Sequence, residues 1–209
     1  MPGWGFDDEE PDERTLVEAE NGRAQARAVS AIVRRAIRRT DVFPVTTIEL
    51  QILNRLAMQE LLATAGELRQ CDLTISGSSH VPPPYEQVPF LLSKAFEFLN
   101  SQPNAEPLLL AAYILWRICW IHPFEDGNGR TARAVSYLVL SLRLGFELPG
   151  KMTIPTRIKH APIAYARALE AADRAWIEGR LDVAELRKLL AFYLEAQMRD
   201  DPPGLPPGA

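Results

Sequence analysis

The chain has 209 residues, 47% of them hydrophobic and 24% charged, a composition that suits one globular domain with a real core and short tails and excludes a disordered or fibrous chain. Its formal net charge of −4 argues against nonspecific nucleic-acid binding. Cys71 and Cys119 lack metal-ligand spacing, the acidic start has no apolar signal segment, and the longest apolar run is interrupted by Arg117, so the expectation is a cytoplasmic protein without a membrane span.

Residues 1–14 are acidic and proline-bearing and read as mobile. A loosely periodic helix is expected over 15–39, ending near Gly22 or running through it at a cost of about 1 kcal/mol. Its Arg34, Arg35, Arg38 and Arg39 read as a solvated face, with a docking patch for an acidic partner as the alternative. Thr46 and Thr47 suit a helix cap, with Glu49 in the first turn of a helix over 48–65 that Gly66 stops. Imperfect alternation around Gly77 over 71–81 suits a short hairpin, left by an extended exit at Pro82, Pro83 and Pro84. Helices follow over 85–100, 108–121, 131–144, 162–178 and 182–198, with turns at 101–104 and at Pro149-Gly150, and 202–209 reads as disordered. His80 and His160 read as ordinary surface residues.

Between the two most apolar helices stands His122-Pro123-Phe124-Glu125-Asp126-Gly127-Asn128-Gly129-Arg130-Thr131-Ala132-Arg133. A helix start offers free N–H groups and a positive dipole end, which suits an anion. The two glycines let the backbone curl around a ligand, and Arg130 and Arg133, three apart, share one face of the new helix. The pattern asks for a polyphosphate, a metal ion and a base. A carboxylate bridging Mg²⁺ to phosphates suits Asp126, whereas Glu125 reads as a surface residue. His122 titrates near neutrality and suits a general base, and Pro123 is expected to hold the His122 backbone extended.

Every fixed position of this segment matches the signature His-Pro-Phe-x-Asp-Gly-Asn-Gly-Arg-x-x-Arg, and the chain resembles the Fic domain family on that motif. Residues 73–84 also resemble the flap hairpin that precedes the motif there, and the likeness covers roughly 41–199. The resemblance implies an all-α Fic-fold helical bundle with a small β-hairpin flap. It divides the chain into an N-terminal segment over 1–40, a candidate for regulation, a Fic domain over 41–199 and a tail over 200–209.

It also implies a nucleotidyltransferase: an AMPylator that moves AMP from ATP to a Ser, Thr or Tyr hydroxyl of a target protein and releases pyrophosphate, with Mg²⁺ as cofactor. Carried over, His122 is the base, Asp126 the metal ligand, and Phe124, Gly127, Asn128, Gly129, Arg130 and Arg133 the nucleotide-binding set, although Phe124 also reads as packing inward. Asn128 and the glycines would hold the α-phosphate, and the arginines the β- and γ-phosphates. The chain does not resemble the Doc kinases, which lack the full signature. Thr74, Ile75 and Ser76 are the candidate edge for an extended target segment.

Many Fic proteins inhibit themselves through Ser/Thr-x-x-x-Glu-Gly/Asn. Glu20-Asn21 approaches this pattern with Leu16 in place of the hydroxyl residue, and Glu178-Gly179 does so with Arg174 there; Glu20 is favoured as the regulatory residue facing Arg133. Removal of AMP by the same site, or a toxin held by a separate antitoxin, are the alternative functions, and other nucleotides remain open.

Overall fold

A computed structural model describes residues 12–38 and 43–200. The expectations for residues 1–11, for Arg39 and for the tail over 202–209 lie outside them. Among the described residues the fold is eight α-helices, with no β-strand.

Helix α1, Glu13–Ile37, begins at Asp12, whose carboxylate accepts the Thr15 N–H at 2.7 Å. Residues 13 and 14, expected to be mobile, are thus its first turn. The helix runs unbroken through Gly22, because Asn21, Gln25, Val29, Val33 and Ala36 form one buried stripe that holds it down on both sides of the glycine. Helix α2, Thr47–Met58, starts in a capping box built by Thr46 and Glu49. It stops seven residues short of the expected position 65. Asn21 of α1 takes the Gln59 carbonyl at 2.7 Å, Gln59 is extended, and Glu60 turns left-handed with φ 62°. The Asn21 side chain therefore does the work of a cap, also reaching the Ala57 carbonyl at 3.5 Å, while Gln25 donates to the Leu53 carbonyl at 2.9 Å within the helix.

A 3-10 turn at Tyr85–Gln87 leads into α3, Val88–Asn100. Helices α4, Pro107–Ile121, and α5, Asn128–Leu144, pack along each other and form the centre of the core. α4 is buried on nearly every side, with Trp116, Leu110, Ile114, Leu115, Ile118 and Ile121 all almost fully enclosed. α3 and α8 (Ala184–Asp200) cover α4, while α1 and α2 cover α5. A short helix α6, Ile154–His160, precedes α7, Pro162–Ile177; the proline signals before it pointed only to a turn. No helix among the described residues is long and apolar enough to cross a membrane.

The expected hairpin takes a different form. The chain does reverse at Gly77, with the Ser78 N–H on the Ile75 carbonyl at 3.2 Å, but its two limbs are not joined by a ladder. Three prolines remove donors from the second limb. The limbs are instead joined by Arg69, which donates to the Cys71 carbonyl at 2.9 Å and to the Pro83 carbonyl.

Gly22 is exposed, and a Cβ there would meet nothing within 4 Å. Gly22→Ala is expected to stabilise the protein by about 0.5–1 kcal/mol, read as a higher thermal midpoint. A lower midpoint would show that α1 needs the glycine.

Candidate active site

The signature segment links α4 to α5, and three buried side chains set its path. Asn54 of α2 donates to the Asp126 carbonyl at 3.0 Å and to Thr131 Oγ1 at 3.2 Å, and accepts the Gly66 N–H at 2.9 Å. Asn128 accepts the Phe124 N–H at 2.9 Å and donates back to the Phe124 carbonyl at 2.8 Å. Arg69 donates to the His122 carbonyl at 2.8 Å. Gly127 has φ 76°, and a Cβ there would sit 2.7 Å from the Met58 side chain and 3.0 Å from Asn54 Nδ2, so both its backbone and its space demand glycine. Asn54, Met58 and Arg69 carry no signal in the sequence, because each acts across the fold rather than within a motif.

His122 caps α4 in the left-handed region, φ 51° and ψ 62°, against the extended backbone expected before Pro123. Such a conformation costs on the order of 1–3 kcal/mol and persists because its surroundings impose it; here the His122 N–H closes on the Ile118 carbonyl at 2.9 Å, and Arg69 holds the other side of the residue. The ring Nδ1 lies 3.3 Å from the Cys119 carbonyl. A carbonyl can only accept, so Nδ1 carries the proton and Nε2 keeps its lone pair. Burial lowers the His122 pKa from 6.5 to about 4; the Cys119 contact opposes the shift, and the nearby His80 and Arg69 add to it. The imidazole is therefore neutral at pH 7.

Helix α5 begins at Gly127 with no side chain capping it, and the first helical bond runs from the Thr131 N–H to the Gly127 carbonyl. The N–H groups of Asn128, Gly129 and Arg130 thus have no partner within the helix. They border a cavity of about 500 Å³ lined by 73–76, His122, 125–130 and Arg133. Arg130 lies 3.9 Å from Asp126, 3.7 Å from Glu18 of α1, and within 3.5 Å of the Ala57 carbonyl. Arg133 lies against the partly buried Cys119 and Tyr165, whose pKa values desolvation pushes up. A second, largely apolar cavity of about 250 Å³ shares Ile75, His122 and Gly129 with the first and extends to Trp116, Trp120, Tyr165 and Leu169.

The structure therefore gathers His122, Asp126, Gly127, Gly129, Arg130, Arg133, Thr74, Ile75 and Ser76 around one opening. Phe124 is a correction. It is fully enclosed in the core, so its side chain takes no part in binding a nucleotide. Asn128 lines the cavity, but its amide is engaged with Phe124, so what it offers a ligand is its backbone N–H. Glu125 points aside to the Thr64 hydroxyl at 2.8 Å. Glu20 does not face the motif: Arg23 and Arg27 hold it at 2.9 and 2.8 Å on the exposed side of α1. Glu178 is likewise paired, with Arg180. His80 is not an ordinary surface residue, since its Nε2 lies 2.8 Å from the Trp120 carbonyl and it lines the apolar cavity.

A helical domain that presents an open helix start, two arginines and a neutral histidine to one cavity has the geometry to receive an anion. Residues 44–140 match the Fic/DOC family. Two proteins named protein adenylyltransferase Fic, from Drosophila persimilis and Culex quinquefasciatus, are 36% and 34% identical over 134 residues, covering 63% of this chain and 25% of each relative. The chain thus spans about a quarter of the length of these curated relatives. A Fic family protein from Desulfovibrio desulfuricans G20 superposes with a TM-score of 0.67 at 23% identity, over 91% of this chain and 54% of that one. Fic-1 from C. elegans does so with a TM-score of 0.71 at 21% identity, over 92% of this chain and 52% of that one.

The low pKa of His122 has a consequence for stability. Between its ordinary 6.5 and about 4 the unfolded chain binds a proton that the folded one refuses, so stability falls as pH drops through that window and is independent of this group above it. Unfolding free energy measured at pH 7.5 and pH 5 is expected to fall less in His122→Gln than in the wild type. Equal losses would mean that His122 titrates normally in the fold.

Proposed function

We propose that this chain transfers AMP from ATP to a hydroxyl side chain of a target protein. The observation that carries the reading is a neutral His122, its Nδ1 on the Cys119 carbonyl, that lines the same cavity as the unpaired N–H groups of α5 and both arginines. In this reading the α-phosphate sits on the Asn128 and Gly129 N–H groups, which oppose the charge that grows on it. Arg130 and Arg133 hold the β- and γ-phosphates. The apolar cavity beside His122 takes the base, with Trp120 and Leu169 among its walls. His122 Nε2 accepts the proton of the incoming hydroxyl, whose oxygen bonds to the α-phosphorus while the bond to the bridging oxygen breaks and pyrophosphate leaves.

Asp126 fits a Mg²⁺ site of the kind that phosphates complete. Its carboxylate is half exposed at the cavity mouth, and no cluster of three or more acidic, His or Cys ligands occurs among the described residues, so phosphates and water would supply the other ligands. When bound, the ion supplies charge neutralisation for the phosphates. The flap offers a place for the target. Apart from the turn bond from Ser78 to Ile75, the loop makes no backbone bonds of its own, so the main chain at Thr74, Ile75 and Ser76 is available to an extended segment.

Incubation with labelled ATP and candidate target proteins tests the reading. His122→Ala is expected to lower labelling by about 10²- to 10⁴-fold while nucleotide binding persists. Wild-type labelling in the variant would reject the base role. Asp126→Ala is expected to abolish the Mg²⁺ dependence of nucleotide affinity; an unchanged response to titrated Mg²⁺ would place the metal elsewhere.

The carboxylate that competes for the phosphate cations is Glu18, at 3.7 Å from Arg130, rather than Glu20. A half-exposed pair of this kind is worth under about 1 kcal/mol, so Glu18→Gln is expected to tighten nucleotide binding about two- to fivefold, with Glu20→Gly neutral. The reverse pattern would return control to Glu20.

A further inference from the structure

Beyond the cavity's tryptophan wall, α4 carries a buried cation that the reaction does not use. Arg117 is 8% exposed, and among the described residues it has no ion pair and no hydrogen bond; its Nη1 is buried without a partner. The other large buried cation, Arg69, spends its guanidinium on carbonyls throughout. Arg117 instead faces three indoles, with its guanidinium carbon 4.4 Å from the Trp120 ring, 4.9 Å from Trp176 and 5.4 Å from Trp116. Burial depresses its pKa, and the phenol of Tyr113 opposes the shift.

This cation sits within a continuous aromatic band. Phe98 of α3 meets Tyr113 at 4.6 Å between ring centres, Tyr113 meets Trp116 at 6.4 Å, and Trp176 of α7 meets Trp116 at 5.6 Å and Trp120 at 6.2 Å. Its two ends are open, with Phe98 37% and Trp176 39% exposed, and Ile177 beside Trp176 is 84% exposed. Helices α3 and α7 both touch α4 but not each other, so α4 is the floor between them. Tryptophan, tyrosine and arginine in one partly desolvated patch are the composition of an interaction hot spot. A purely structural arginine would be expected to have an internal acceptor, as Arg69 does.

We infer that the α3–α4–α7 face is a docking surface for a segment of a partner protein that brings a carboxylate to Arg117 and an apolar side chain to Trp176. The charge complement is what selects this occupant: the nearby Asp173 carboxylate accepts the Trp116 Nε1–H at 2.8 Å and makes no ion pair with Arg117, whose guanidinium is left to aromatic carbon. An acidic side chain next to an aromatic or aliphatic one satisfies both. The docking needs no nucleotide, so it stands or falls apart from the transfer reaction.

Selection of a displayed library of random dodecapeptides on the full chain, without nucleotide, tests the inference. The expected result is enrichment of peptides carrying Asp or Glu beside an aromatic or aliphatic residue. Their binding, followed by anisotropy of the labelled peptide and by tryptophan emission, should weaken at least tenfold in Arg117→Met and when the peptide's Glu is replaced by Gln. Met retains the apolar stem, and a thermal melt checks that the variant folds; if it does not, Trp176→Ala, at the open end of the band, serves in its place. No enrichment, enrichment without acidic residues, or binding indifferent to both substitutions would overturn the inference. So would self-association of the chain that Arg117→Met abolishes, which would make a second copy the occupant.

Discussion

The guanidinium of Arg69 is the contact on which the site depends. It is almost wholly buried and reaches the carbonyls of His122, Cys71 and Pro83, with Ile121 at 3.5 Å. The last carbonyls of a helix have no partner inside it, and burying them unpaired would cost about 1–3 kcal/mol each. By serving the end of α4 and both limbs of the flap at once, one side chain fixes where the histidine leaves the helix and where the flap lies above it. Asp72, 3.5 Å away but 70% exposed at its side chain, offsets little of the desolvation; the carbonyl dipoles do most of that.

The same economy runs through the rest of the loop. Asn54 and Asn128 satisfy backbone groups of the signature segment, which leaves the N–H groups at the start of α5 with nothing to bond. Anion affinity here is therefore a matter of what is left over after the loop has been made rigid: an uncapped helix start, and two arginines beside it that the fold does not fully consume. Rigidity matters because a displacement of about 1 Å at a reacting phosphate can cost 10²-fold in rate.

The family and the helical class were legible from the signature segment alone, and so was the cluster of His122, Asp126, Arg130 and Arg133 around one opening. Local signals also placed most helices, because the capping residues Thr46 and Gly145 and the apolar stripes act within a few residues of themselves. Three features were not legible, and each turns on which of several possible partners a polar side chain takes. Helix α2 ends early where Asn21, 38 residues away, takes the carbonyl of its C-cap residue Gln59. The flap lacks a ladder because Arg69 substitutes for one. Glu20 turns away from the motif because Arg23 and Arg27, on its own helix face, hold it, while Glu18 lies over Arg130. A motif in one segment says nothing of which way a neighbouring helix is rotated.

The weak basicity of His122 is then consistent with a base rather than opposed to it. A proton acceptor must be unprotonated before the reaction, and burial beside Arg69 secures that at any pH above about 4. An imidazole so acidic would accept a proton poorly on its own. The anionic phosphates that the α5 start and the arginines attract are the charges that raise an imidazole pKa when they arrive alongside. In the proposed reading a polyphosphate bound there would raise the basicity of His122, so that proton acceptance would be coupled to the substrate by the same field that binds it.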